Sequence, residues 1–461
     1  MCLCLHDETT IKQAQRPIIM SSIKPQVPKG FRDFLPAQKI FRQKVIEVIR
    51  SIFETYGFNP LETPSLEYAE TLEGKYGEEG DRLIYKFEDR GGRAVALRYD
   101  LTIPLCRVVS MYPEIAKPFK SYQIAPVWRA DKPQRGRFRE FYQCDIDIIG
   151  TSSVLADAEL MVVIHAVLMK LGIRDFVIHI NNRKLLNAIA GIAGIPNAEL
   201  AAFLRSLDKL DKIGKDGVSA ELLEKGFSAE AMIKVFSILD ETGSAKSHRE
   251  ALEIMSSMVG DNTSGAEGVA ELSVIRDALE AQGIPETAYR FDLALARGLD
   301  YYTGPVFETR VIAPKIGSIT GGGRYDNLIG LFTSTPLPAT GSSFGLERLM
   351  TVLEELQGAA TPDTNTQVLV ALFEISLRNE TLRIAKMLRD AGLRTEAYFE
   401  ADKLKKQLSY AAQKGIPLVV IVGPDEARNA TAALRNMRSS TQEVLAQHNL
   451  VQHIKEQLAK A

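Results

Sequence analysis

Residues 139–149, REFYQCDIDII, narrow the folds open to this chain more than any other segment. A strand sends successive side chains to opposite faces. Read that way, Tyr142, Cys144, Ile146 and Ile148 share one face, and Phe141, Gln143, Asp145 and Asp147 share the other. The first face belongs in a core. The second carries an amide and two carboxylates, and because a buried polar group without a partner costs roughly 1–3 kcal/mol, it must either meet solvent or line a ligand cleft. Residues 122–129 read as a second strand, joined to the first through the basic loop DKPQRGR, so a long-loop antiparallel hairpin is predicted.

The segments around this hairpin fix the organisation. Phe41, Val45, Val48, Ile49, Ile52 and Phe53 recur at helical spacing and predict an amphipathic helix over 36–56, with Gly57 as its C-terminal cap. An extended piece ends at Pro64, and arms 83–87 and 95–98 flank the turn-forming run Asp89-Arg90-Gly91-Gly92, which predicts another hairpin. From about 196 to 284, short apolar repeats between Gly, Asp and Ser breaks predict an inserted helical domain. Strand signals return at 289–312, followed by an expected glycine-rich turn, ITGGGRYD, and a strand-to-helix segment, GSSFGLERLM. Past a Thr/Pro/Asp-rich stretch at 360–366, the strands LVALF and PLVVIVG alternate with helical segments 376–391 and 402–413, the pattern of an α/β domain with a parallel or mixed sheet. The expected division is an N-terminal extension (1–22), a large unit (23–358) carrying the insertion, a linker (359–366) and a C-terminal domain (367–461).

At 461 residues the chain is long enough for two to four cores. Its apolar runs stay far below the 18 or more residues of a membrane span, so no membrane partner is expected. Lys and Arg number 56 against 58 Asp and Glu, so any affinity for nucleic acid must come from local patches. Cys2, Cys4, Cys106 and Cys144 have neither metal-ligand spacing nor that of a disulfide framework, and the first 22 residues contain Asp7 and Glu8 without a continuous apolar stretch. A reducing, cytoplasmic setting is the expectation, with Met20 as an alternative start.

Three arginine-centred segments carry the chemistry: VWRADKPQRGRFRE around Arg129, LARGLDYYTG around Arg297 and GLERLM around Arg348. The planar guanidinium matches phosphate oxygens, so arginines converging on one cleft suit a nucleotide polyphosphate. Singly, each reads more simply as a surface ion-pair residue; their order and spacing carry the argument. None of the six histidines falls in these segments, so neither a histidine triad nor a metal site is expected, and His165 and His179 read as packed residues of a helix and a strand.

Taken together, the long helix with Pro64, the Arg129 hairpin and GLERLM resemble motifs 1, 2 and 3 of class II aminoacyl-tRNA synthetases. More narrowly, LRYDLTIPLCR and RGLDYYTG resemble the two signatures of histidyl-tRNA synthetases, a likeness running from about residue 27 to the C-terminus. The resemblance implies an α/β (α+β) fold: an antiparallel-sheet catalytic domain with a helical insertion, and a C-terminal α/β domain for the anticodon. It implies ATP with Mg²⁺, histidine and histidine tRNA as partners, and a homodimer formed through motif 1.

By the same resemblance, Arg129 holds the ATP α-phosphate, Phe141 stacks on adenine, and Arg137 and Arg348 lie near the β- and γ-phosphates. Asp131 stands where motif 2 usually has Glu, one methylene longer. Asp100, Thr102 and Gln143 bind the α-amino group of histidine, Asp100 replacing the Glu of many bacterial members. Asp147 and Tyr302 bracket the imidazole, with Tyr301 and Tyr325 as walls. Arg297 reaches the α-phosphate and the reacting carboxylate. Lys132, Gln134, Arg135, Arg137 and Arg139 of the motif 2 loop meet the tRNA acceptor end with its extra 5′ guanosine; a solvated charge run is the plainer alternative. The rival from another class is a non-catalytic synthetase-like sensor of histidine or tRNA. Such relatives tend to lose catalytic arginines or the last domain, whereas Arg129, Arg297, Arg348 and that domain are all present here. A generic kinase is disfavoured because neither a P-loop nor the kinase signature set occurs.

Overall fold

The computed structural model describes residues 24–196, 198–296, 301–333, 335–357 and 364–460. Helix α1 spans Pro36–Thr55, opened by Pro36 in its first turn, where a missing N–H costs nothing. Its buried stripe is Ile40, Val45, Ile46, Ile49 and Phe53, close to the expected one, and the chain turns out of it through Gly57 at φ 78°. Strands β1 (Asn59–Pro60), β2 (Leu66–Tyr68), β3 (Lys86–Glu88) and β4 (Ala94–Leu97) follow, and β3 and β4 form the expected hairpin, with β2 on the far edge of β4. Asp89 closes the turn by accepting from the backbone N–H groups of Gly91 and Arg93. Helix α2 (Thr102–Met111) leads into the long hairpin of β5 (Phe119–Trp128) and β6 (Glu140–Ile149).

Helix α3 (Leu155–Lys170), β7 (Phe176–Asn182) and α4 (Arg183–Ile192) come next. The segment expected as an insertion is helical: α5 (Leu200–Leu207), α6 (Leu210–Glu224, kinked at Gly214), α7 (Ala229–Gly243), α8 (His248–Val259) and α9 (Thr263–Ala281). The chain returns through β8 (Tyr289–Phe291), β9 (Pro305–Val311), β10 (Ser318–Arg324), β11 (Ala339–Gly345) and α10 (Leu346–Gln357). One eight-stranded sheet results, in the order β1-β5-β6-β11-β10-β9-β7-β8, antiparallel except at the two edge pairs. Its main core contains Ile49, Phe53, Cys144, Ile146, Ile148, Ile164, Phe307 and Phe344, so the apolar face of β6 is buried and its polar face is turned the other way.

The segment ITGGGRYD departs from expectation: it is the central strand β10, not a turn. Glycine ordinarily weakens a strand, but here the neighbours come too close for a side chain. A Cβ on Gly322 would lie 2.3 Å from the Gly341 carbonyl oxygen, and one on Gly323 would lie 2.9 Å from the Tyr302 ring.

In the C-terminal domain β12 (Val368–Val370), β13 (Thr395–Ala397) and β14 (Leu418–Ile421) run parallel, while β15 (Thr431–Asn436) and β16 (Gln442–Ala446) complete a mixed sheet in the order β13-β12-β14-β15-β16. Helices α11 (Arg378–Asp390) and α12 (Leu404–Gln413) occupy the expected segments, and α13 (Leu450–Ala459) was not anticipated. Among the described residues no helix is long and apolar enough to cross a membrane. His165 packs edge-on against Phe176, and His179 is bonded to Asp292 at 2.6 Å, so both are structural as expected.

Candidate active site

The polar face of β6 is the floor of a cleft of about 910 Å³, within the range of small-molecule sites. The face therefore lines a cleft rather than an open surface of the sheet. Gln143, Asp145 and Asp147 lie directly opposite Gly345, Ser343 and Gly341 on β11 and opposite Ala125, Gln123 and Ser121 on β5. Gln143 donates from Nε2 to Ser343 Oγ at 2.7 Å. Asp147 accepts from Tyr325 Oη at 2.5 Å, and burial pushes its carboxyl up to about 7 despite that bond. Gly341 makes this arrangement possible, because a Cβ there would fall 1.9 Å from Asp147 Oδ1.

Asp100 sits at the mouth of α2. Its Oδ1 accepts from Ile103 N at 3.1 Å and from Tyr76 Oη at 3.0 Å, while Oδ2 is buried with no partner among the described residues. A buried acceptor in a cleft wall is costly unless a ligand supplies the donor. Burial raises the pKa of Asp100, and the bonds to its ionised form oppose that. Tyr301, Tyr302 and Tyr325 form an aromatic wall, with ring centroids 4.9 Å (Tyr301–Tyr302) and 6.0 Å (Tyr301–Tyr325) apart.

At the other end, Arg129 donates from Nε to the Tyr99 carbonyl at 3.0 Å, lies 4.2 Å over the Tyr99 ring and comes within 5.1 Å of the Phe141 centroid. Asp131 is engaged by both prongs of Arg137, at 3.0 and 2.8 Å. Arg348 donates from Nη1 to the Ser318 carbonyl at 2.7 Å. Its chain neighbour Glu347 is a buried carboxylate in the first turn of α10, where the helix dipole favours negative charge. Glu347 accepts from Arg42 of α1 at 2.9 and 2.5 Å, from Arg32, and from Tyr142 N at 3.2 Å, so one side chain ties the three motif segments together.

Twelve of the residues singled out from sequence thus line one cleft: Asp100, Thr102, Arg129, Asp131, Arg137, Phe141, Gln143, Asp147, Tyr301, Tyr302, Tyr325 and Arg348. Arg297 lies outside the described residues. Lys132, Gln134 and Arg135 are exposed on the motif 2 loop, which is pinched by a bridge between Gln134 and Arg137. Arg139 instead braces the base of that loop, donating to the carbonyls of Asp131 and Lys29. Sequence reasoning missed Tyr76, Ser343, Gly341 and the Arg32–Arg42–Glu347 cluster, and it placed Asp145 on the polar face without a role. Period-2 alternation held the signal for Ser343, which shares the face of Gly341 on β11; nothing local to Tyr76 announces its contact with Asp100.

The family model described as histidyl-tRNA synthetase matches residues 30–349, and the one described as anticodon binding domain matches residues 367–457. Curated relatives include the histidine–tRNA ligase of Cytophaga hutchinsonii, 41% identical over 91% of this chain and 97% of the relative, and that of Bacteroides fragilis, 42% identical over 93% and 98%. Among solved structures, histidyl-tRNA synthetase from Nostoc superposes with a TM-score of 0.84 at 34% identity, covering 94% of this chain and all of that one. A Bacillus halodurans protein titled an ATP phosphoribosyltransferase regulatory subunit/histidyl-tRNA synthetase superposes with a TM-score of 0.71 at 25% identity, over 84% of this chain and 97% of that one.

Proposed function

Since the chain belongs to the histidyl-tRNA synthetase family and its function is that of a histidine–tRNA ligase, we propose how its cleft performs the two steps. The observation that carries the reading is the meeting in one cleft of the 97–107 segment, through Asp100 and Thr102, with Tyr301 and Tyr302 and the polar face of β6.

The α-ammonium of histidine meets the unpartnered Oδ2 of Asp100, with Thr102 and the Gln143 amide beside it. Asp147 accepts from the imidazole, Tyr302 flanks the ring's other side, and Tyr301 and Tyr325 form the wall. Adenine stacks on Phe141. Arg129 keeps the rest of its fork for the α-phosphate, and Arg137 and Arg348 serve the β- and γ-phosphates; Asp131 holds Arg137 at the rim. ATP enters as its Mg²⁺ complex, with the ion carried by phosphate oxygens and water as is usual for this cation.

A histidine carboxylate oxygen attacks the α-phosphorus in line, the bond to the β-phosphate bridging oxygen breaks, and pyrophosphate leaves. The nucleophile is already anionic, so positioning and charge stabilisation dominate and no protein base is needed. Arg297 shares the α-phosphate and the carboxylate with Arg129. In the second step the 3′-hydroxyl of the terminal adenosine attacks the activated carbonyl and AMP leaves. Lys132, Gln134 and Arg135 on the loop tip, with Arg139 at its base, face the acceptor end. For the anticodon, Phe373 and Phe399, exposed beyond the carboxyl ends of β12 and β13, offer stacking surfaces of the kind single-stranded bases use.

We also propose a homodimer. The β2-β4-β3 sheet leaves Leu66, Tyr68 and Phe87 exposed beside Met111 and Tyr112, an apolar surface suited to a second copy. The cytoplasm, the compartment proposed, agrees with free, buried Cys106 and Cys144. The deciding experiment is ATP–pyrophosphate exchange with each of the twenty amino acids. Histidine-only exchange is expected; histidine binding without exchange would favour the sensor reading.

A further inference from the structure

Asp100 is bonded unevenly for a buried carboxylate. Both donors, the Ile103 N–H at 3.1 Å and the Tyr76 hydroxyl at 3.0 Å, land on Oδ1, while Oδ2 has no partner among the described residues although Asp100 is only 3% exposed. The donors come from separate parts of the chain, Ile103 from the first turn of α2 and Tyr76 from the connection between β2 and β3. A single donor would leave the planar carboxylate free to swing about it. Two donors that reach one oxygen from different elements fix the carboxylate plane, and with it the direction of Oδ2.

Tyr76 is itself held in place for this contact. It stands behind Asp100, outside the lining of the cleft, and is 6% exposed. Its turn closes on itself: Gly74 N donates to Asp81 Oδ2 at 2.9 Å, and Lys75 Nζ donates to the Glu70 and Glu73 carbonyls, each at 2.9 Å. Gly80 lets the short helix Gly77–Asp81 lie directly on Tyr76, since a Cβ there would fall 2.4 Å from the Tyr76 Cβ. The Tyr76 ring packs on Tyr99 with centroids 4.5 Å apart. Burial, and then the Asp100 carboxylate beside it, push the hydroxyl well above the ordinary phenol range, so it keeps the proton that it donates. A phenyl ring would fill the same space with no polar group to satisfy, so packing alone does not account for the hydroxyl.

We propose that Tyr76 is a positioning residue for histidine: with the Ile103 N–H it clamps Asp100 at Oδ1, so that Oδ2 is aimed at the α-ammonium and the pocket demands that group. This rests on Asp100 being the ammonium site. Selection for an α-amino acid then depends on a side chain that no substrate atom touches, acting through the one that does. The hydroxyl and the ring have separate duties. The hydroxyl serves Asp100, whereas the ring supports Tyr99, whose carbonyl and face hold Arg129.

The test compares histidine with imidazolepropionate, the same molecule without its α-amino group, by calorimetry on the full chain. The native protein is expected to prefer histidine by about 100-fold or more. In Tyr76→Phe, affinity for histidine should fall about 10- to 100-fold while that for imidazolepropionate changes by less than about threefold, so the preference narrows. In pyrophosphate exchange the KM for histidine should rise and the KM for ATP should not, because the phenyl ring still supports Tyr99 beneath Arg129. Gly80→Ala, which forces the Tyr76 side chain aside, should narrow the preference in the same way and decides the matter if Tyr76→Phe does not fold. Equal weakening of both ligands marks a packing role and overturns the inference, as does an unchanged preference in either folded variant. A native chain that does not prefer histidine to imidazolepropionate would instead overturn the reading of Asp100 on which the inference rests.

Discussion

At the scale of single residues, the site is a set of charges kept out of water until substrate brings their partners. On the phosphate side, the role proposed for Arg297 can be tested directly. Removing one preorganised donor from a closed site typically lowers kcat by about 10²–10³, and Arg297→Ala is expected to lose that much pyrophosphate exchange while histidine affinity changes less. Arg297→Lys should restore only part, since an ammonium lacks the two-pronged contact. Near-normal exchange in a folded Arg297→Ala protein would remove it from the mechanism. Asp147 makes the complementary case through pH. Its carboxyl rises from 3.8 to about 7 on folding, so the folded state holds the proton more tightly than the unfolded one. That contributes stability in full below about pH 4 and is lost as pH climbs to about 7. Asp147→Asn cannot ionise, and should gain on the native protein across this window by up to about 4 kcal/mol, seen as a Tm difference that widens between pH 4 and 7. Parallel Tm profiles would exclude this view of Asp147.

At the scale of elements, what counts is how helices and strands are pinned to one another. Glu347 bonds α10 to α1 through Arg42, a guanidinium only 2% exposed, so its loss strands a buried cation. Glu347→Ala should cost about 3–5 kcal/mol, and the double change Arg42→Met/Glu347→Leu should recover much of it. In both, ATP affinity should fall because α10, which carries Arg348, is no longer pinned to α1; urea unfolding and the KM for ATP would show this. A small stability loss in Glu347→Ala, with none recovered by the double change, would mean the cluster is not what joins the motifs. The sequence made α1 and β6 legible because each carries an uninterrupted period over ten or more residues, and β5 legible as the apolar partner run before the basic loop. It hid β10, because Ile319-Thr320-Gly321-Gly322-Gly323 has turn composition and its glycines answer to Gly341 and Tyr302, contacts made only in the assembled sheet. The β6 face was readable for the same reason as the strand, whereas Tyr76 was not: its bond to Asp100 depends on how the segment after β2 folds back, which no local pattern records.

At the scale of the whole molecule, the division of labour between two units becomes testable. A chain ending at Gly358 retains the complete sheet and α10, and should keep histidine-dependent exchange while losing most tRNA charging, since the domain at 367–457 that matches the anticodon-binding family is removed. Equal loss of both activities in a folded truncation would count against that division. The apolar β2-β4-β3 face predicts that the full chain, 51.0 kDa by sequence, scatters light as a species of twice that mass; a monomer at micromolar concentration would leave Tyr68 and Phe87 without an explanation.

The order of strands across the large sheet also bears on how the protein is made. Asp147 on β6 pairs with Gly341 on β11, and β7 pairs with β9 across the whole helical insertion. During translation, β6 therefore waits with one edge bare while the insertion and four further strands of its sheet, β7 to β10, are synthesised. At about 5–20 residues per second that wait is on the order of 10–40 s, long beside the microseconds in which hairpins form. The nascent chain thus passes through an interval in which the β5–β6 hairpin exists but the amino-acid pocket cannot, with a row of unsatisfied backbone groups open to any other strand. Ribosome-associated chaperones would find their longest-lived target on this chain between the emergence of β6 and that of β11.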